Sequence, residues 1–158
     1  MSRCGKHTSK CVKETEPEPF VSCTKIKIFS NRRCLEELRP KLTDFRSYPG
    51  AQACFVWLLH HLTFPYLSGH IHEFMPFALR FMDDWETRNK VVGVQCLAHL
   101  VANVNATEIS WYGRTELMVE ALDRNLVAHA TGDSLELVGQ VCHCWFALLD
   151  KTEKVNTK

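Results

Sequence analysis

The stretch that most constrains the fold is PFALRFMDDWETRNKVVGVQCLAHLVANV, Pro76 to Val104. From Val91 its apolar residues fall at Val91, Val94, Leu97, Val101 and Val104, steps of three and four that line one face of a helix. The residues before it read as the end of another helix. Between the two, Asp83 and Asp84 stand where a short carboxylate can accept hydrogen bonds from the unpaired amides of the next helix. Glu86 adds negative charge at the positive end of that helix dipole. A helix folded back on another leaves a broad apolar face on each side, which only a further pair can cover. The expectation is a stack of helix pairs.

The rest of the chain fits this expectation. Residues 1–24 have no period, and the Glu-Pro-Glu-Pro run resists helix and strand, so a poorly ordered tail is expected over 1–46. Within it, KIKIF at 25–29 reads as a local extended linker, and 31–38 as a short helix capped by Ser30 or Asn31 and ended before Pro40. Pro49 and Gly50 open a helix with Ala53, Val56, Trp57 and His60 or His61 along its buried face, closed at Thr63-Phe64-Pro65. The next helix runs from about His70 to Met82 and carries Pro76, where a kink is expected. After the helix of 86–104, Thr107 starts a short turn of helix ended at Gly113. Arg114 to His129 is amphipathic, burying Leu117, Met118, Ala121, Leu122 and Leu126. Thr131-Gly132-Asp133 makes a turn, with Asp133 or Ser134 capping a last helix on Leu135, Val138, Cys142, Trp145 and Leu149. Residues 151–158 read as a polar tail.

Short loops between helices favour antiparallel neighbours. One hairpin from about 68 to 104 and another from about 107 to 150 recur at roughly the 40-residue HEAT-type period. The expected class is therefore all-α, an α-solenoid of HEAT-like antiparallel hairpins over 47–150. A compact helical bundle is the alternative.

Composition excludes several functions. Hydrophobic content of 46% with 23% charged residues is that of an ordinary globular protein. Residues 1–46 carry eleven Lys/Arg against six Asp/Glu, while 47–158 carry eight against twelve. The helical part is thus mildly acidic, which disfavours a nucleic-acid surface. No apolar stretch reaches about 18 residues, so no membrane span is expected. No signal peptide is read at the start, and Cys54, Cys96, Cys142 and Cys144 sit in apolar helical patterns as small hydrophobes. A reducing compartment, cytoplasmic and also nuclear, is expected.

Histidine is the tempting feature. His60, His61, His70 and His72 fall close together, and Cys142-His143-Cys144 sits in the last helix. Neither has zinc-site spacing, and residues two apart on a helix point about 200° apart. There is no nucleophile elbow, Gly-rich phosphate loop or H-E-x-x-H motif. No catalytic, cofactor or metal residue is assigned. Asp83, Asp84 and Glu86 read as a cap and solvated turn rather than a cation site. Trp85, Trp111 and Tyr112 are expected to pack beneath neighbouring pairs; exposed, they would be binding hot spots. Lys90 and Arg114 are expected to pair with the acidic turns, and Gly93 and Gly139 to suit close helix packing. The candidate repeat-turn or partner-contact residues are Asp83, Asp84, Trp85, Lys90, Trp111, Tyr112 and Arg114.

The hairpin PFALRFMDDWETRNKVVGVQCLAHLV fits a HEAT repeat, with Asp84 and Lys90 at the positions of an Asp–basic ladder and Gly93 at the small-residue position. DDWETRNKVVGVQCLAHLV followed by ATEISWYGRTELMVEAL resembles, more specifically, the Tti-two family. These are HEAT-repeat subunits of the Tel-two/Tti-one/Tti-two (TTT) co-chaperone complex. The resemblance covers roughly 49–150. Family members are several hundred residues long, so the chain is read as a truncated or partial member. What it implies is a non-catalytic scaffold that binds Tti-one and Tel-two. With the heat-shock chaperone machinery, the complex supports maturation of phosphatidylinositol-kinase-related kinase clients in DNA-damage and nutrient signalling. A HEAT-type adaptor with another protein client, or a histidine/cysteine metal-binding protein, is the alternative function.

Overall fold

The structure is a computed structural model that describes residues 32–129 and 134–156. They form helices α1 (32–43), α2 (Pro49–His60), α3 (Ile71–Met82), α4 (Thr87–Asn103), α5 (Ala106–Ser110), α6 (Arg114–His129) and α7 (Leu135–Asn156), with a 3-10 turn at Trp111–Gly113 between α5 and α6. Among the described residues there is no strand. The linker 25–29, the caps at Ser30 and Asn31, and the turn 131–133 lie outside the described residues.

Helix α4 is central, packed along its length against α3 and α7 and more lightly against α2 and α6. The α2, α4 and α7 helices form one layer. Helices α1, α3 and α6 form the other: Arg32 of α1 reaches Glu73 of α3 at 3.6 Å, Arg39 lies over the Phe77 ring, and α3 touches α6. Three hairpins (α1–α2, α3–α4, α6–α7) are therefore stacked. The polar ties between neighbours repeat at a constant offset. Arg46 meets Asp84, Gln52 meets Asn89, Leu62 meets His99 and Gly69 meets Glu108, each pair 37 to 39 residues apart. This is the helical-repeat period expected from the sequence, observed in contacts.

The expected α4 stripe is correct: Val91, Val94, Leu97, Val101 and Val104 are all buried. Gly93 is the small residue of the α3–α4 crossing. A Cβ there would stand 2.6 Å from the Met82 amide nitrogen and 2.8 Å from the Ala78 carbonyl oxygen. Gly139 has nothing within 4 Å of that position, so its expected packing role is corrected.

Other differences have local causes. The first helix does not stop before Pro40 but runs to 43, because Leu35 and Leu42 at its two ends are both fully buried. Residues 32–46 are thus part of the stack rather than a tail. Likewise α7 continues to Asn156, into the segment read as a polar tail. Helix α3 is a single helix with Pro76 inside it; the missing N–H deprives the His72 carbonyl of its helical donor. In α2 the buried stripe is Ala51, Phe55, Leu58, Leu59 and Leu62, while Ala53, Trp57, His60 and His61 face outward. In α7 it is Leu137, Val141, Cys144 and Leu148, and the expected Leu135 and Leu149 are exposed, as is Leu117 of α6. Burial pushes the Cys96 and Cys144 thiols up to about 12, so both remain neutral packing groups.

Candidate functional site

Two turns carry the candidate residues. The first joins α3 to α4. Its two aspartates face opposite neighbours: Asp84 is buried and accepts from Arg46 Nε at 2.8 Å, on the preceding hairpin, while Asp83 lies 3.3 Å from Arg124, on the following one. Asp84 Oδ1 also accepts from the Glu86 amide at 2.8 Å, which shapes the entry to α4. Burial pushes the Asp84 pKa up, but the bonds from Arg46 and the Glu86 amide outweigh it and hold the carboxyl below the usual range. The ladder partner is therefore Arg46 rather than Lys90, which makes no ion pair among the described residues. The expected spacing misled because the basic group comes from the previous hairpin's turn. Trp85 does not pack beneath its neighbours; it is 75% exposed, with the Arg46 guanidinium 5.6 Å from its ring centroid.

The second turn joins α5 to α6. Asn105 caps α5, its Oδ1 accepting from the Thr107 amide, and Ile109 anchors the segment in the core. Arg114 does not reach an acidic turn. It donates to the Glu108 carbonyl at 2.7 Å and lies 5.3 Å from the Tyr112 ring centroid. Trp111 and Tyr112, expected to pack, are exposed, Tyr112 at 86%. Tyr112 also has φ 57° and ψ 31°, the left-handed region that a residue with a Cβ occupies only at a cost. The two turns are not brought together into one site: the first closes a hairpin, and the second connects successive hairpins.

Sequence reasoning missed a third feature, because it placed Trp57 and His60 in the core. Between α2 and α4 lies an open cleft of about 790 Å³, with Trp57 at one part of its wall and Trp85 at another. The His60 and His99 rings are tilted against each other with centroids 4.5 Å apart, and His99 Nε2 lies 2.8 Å from the Leu62 carbonyl. The other histidines go elsewhere. His70 and His72 flank the buried Glu73, and no group of three or more His, Cys, Asp or Glu among the described residues is placed to hold a metal.

Burial, followed by the neighbouring His99 and His61, holds His60 below its ordinary value. The unfolded chain then binds a proton that the folded chain resists, so stability falls as the pH drops through about 6.5 toward the lower folded pKa. Denaturant midpoints should drop between about pH 7.5 and 5.5, and His60→Gln should flatten that dependence. An unchanged slope in the variant would remove His60 as its source.

The family model described as the Tti2 family matches residues 30–158. The chain is a member of the Tti2 family. The match begins at the start of α1, consistent with 32–46 belonging to the stack. Among curated proteins, TELO2-interacting protein 2 of Rattus norvegicus is 38% identical over 91 residues, and that of Homo sapiens 35%. In each case the alignment covers 56% of this chain and 18% of the relative, so the chain matches under a fifth of those proteins' length. No solved structure matches it. No helix among the described residues is long and apolar enough to cross a membrane.

Proposed function

We propose that this Tti2-family chain is a non-catalytic helical-repeat scaffold subunit of the TTT co-chaperone complex. In this reading it binds Tel-two and Tti-one and, with the heat-shock chaperone machinery, supports maturation of phosphatidylinositol-kinase-related kinases, in the cytoplasm and nucleus. Family membership and the relatives' name, which states interaction with TELO2, support it. Stacked hairpins form an extended binding surface. The repeat domain is assigned to 32–156, and the turn residues Asp83, Asp84, Trp85, Trp111, Tyr112 and Arg114 to contacts or their support.

The observation that carries the reading is Tyr112. A large aromatic ring held outward on a left-handed backbone costs stability without filling any core, the combination expected where function maintains it. Tyr112→Gly should leave stability unchanged or raise it by up to about 1 kcal/mol, since relief of strain opposes the glycine entropy cost. The same change should weaken capture of Tel-two by the tagged full chain at least about tenfold. Failure of the unaltered chain to capture Tel-two would overturn the scaffold reading. Undiminished capture by Tyr112→Gly would remove only this turn from the interface.

A further inference from the structure

The α2–α4 cleft shares Arg46 and Trp85 with the first turn and adds a second exposed tryptophan, Trp57. We propose that it docks an extended proline-rich segment of a partner protein, in the polyproline II conformation. Both tryptophans on its wall are more than half exposed, Trp57 at 62% and Trp85 at 75%. Each is propped by a neighbour. Arg46, itself fixed by Asp84, lies over the Trp85 ring, and the His61 ring lies tilted against Trp57 with centroids 4.0 Å apart while its Nδ1 lies 2.8 Å from the Trp57 carbonyl. Neither indole N–H has a hydrogen-bond partner among the described residues. Pre-set rings with free donors are what a polyproline II ligand uses: its pyrrolidine rings stack on aromatic faces, and its carbonyls, unpaired within the helix, accept from indole N–H groups.

The floor of the cleft favours this occupant over a helix. Gln52 of α2 donates to Asn89 of α4 at 3.2 Å, which leaves the Gln52 carbonyl oxygen free for a flanking amide of the ligand. A helix laying an apolar stripe here would bury that amide pair, at a cost, whereas a segment alternating carbonyls with rings would not. Charge gives little selection: Arg46 is committed to Asp84, and Arg88 is balanced by Glu86 on the same wall. Trp85 lies under Arg46, three residues before Pro49, and Trp57 lies eight residues beyond Pro49, about 12 Å along the α2 axis. At 3.1 Å per residue that distance takes about four residues of polyproline II, so ligand prolines about three to four apart would meet the two ends.

The test uses the full chain and fluorophore-labelled decaproline, read by anisotropy, with a glycine–serine peptide of equal length as control. Saturable binding to decaproline alone is expected. Trp57→Ala and Trp85→Ala should each weaken it at least about tenfold, and Trp111→Ala, on the other turn, should not. Trp57→Phe keeps a stacking ring without the donor and should lose about threefold, which distinguishes a lost contact from a lost fold. No saturation at millimolar peptide, an equal loss in Trp111→Ala, or full binding by the Trp57→Ala/Trp85→Ala double variant would each overturn the proposal. Because the readout is a peptide and not Tel-two capture, it stands or falls separately from the scaffold reading.

Discussion

Phe55→Ala is expected to destabilise the chain by about 3–5 kcal/mol, measured as a shift in denaturant midpoint at constant slope. Phe55 is fully buried on α2, and its ring meets three rings of α3: Phe74 at 5.8 Å, Phe77 at 5.5 Å and Phe81 at 5.6 Å. Phe81 in turn meets Phe45 at 4.8 Å, just ahead of α2. The residue is thus the hub through which the first hairpin is packed on the second. Removing it takes away both the transferred area and the edge-to-face contacts, and leaves a void bounded by helices that cannot easily close in. Phe146→Ala is the control. At 72% exposure it should move stability by no more than about 0.5 kcal/mol. A loss below about 1 kcal/mol for Phe55→Ala would mean that the α2–α3 contact is not the join between these hairpins.

Gly93→Ala should destabilise by about 1–3 kcal/mol, against the trend of helix propensity. On an open helix face the same change is worth about 1 kcal/mol of stabilisation. Here the new Cβ would enter within 2.8 Å of two backbone atoms of α3, and backbone cannot swing aside as the end of a side chain can. Either α3 and α4 separate or the methyl overlaps. Gly139→Ala is the internal comparison, since its site is open; it should stabilise by roughly the propensity difference. If both substitutions stabilise, the close approach of α3 and α4 is wrong.

What was legible in the sequence follows from what periodicity can encode. In α4 the expected stripe falls inside a broad buried face that also takes in Gly93, Cys96 and Leu100, so each expected core residue is buried. In α2 and α7 apolar residues occur nearly all round the helix. Two stripes then satisfy the same three-and-four spacing, and spacing alone does not choose between them. The chosen stripe in α2 held Trp57 and His60; the true one, Phe55, Leu58, Leu59 and Leu62, is the more uniformly apolar. That error of phase concealed the cleft. Of the turn residues, Asp84 was recognised as structural, but its partner was sought within one hairpin. Arg46 was overlooked because it lay in a segment taken for a tail, and Pro40 was read as a stop where burial of Leu35 and Leu42 carries the helix through.

The constant offset of the inter-hairpin ties has a consequence for mechanics. Arg46–Asp84 and Gln52–Asn89 hold one edge of the stack, and Gly69–Glu108 and Leu62–His99 the other, each spanning a single repeat. Tension applied along such a chain is carried in series, equally by every junction. The weakest yields first, releasing about 38 residues, or about 130 Å of contour, while the neighbouring hairpins keep their own ties. Extension should therefore come in near-equal steps, as from a string of matched fuses rather than a single lock.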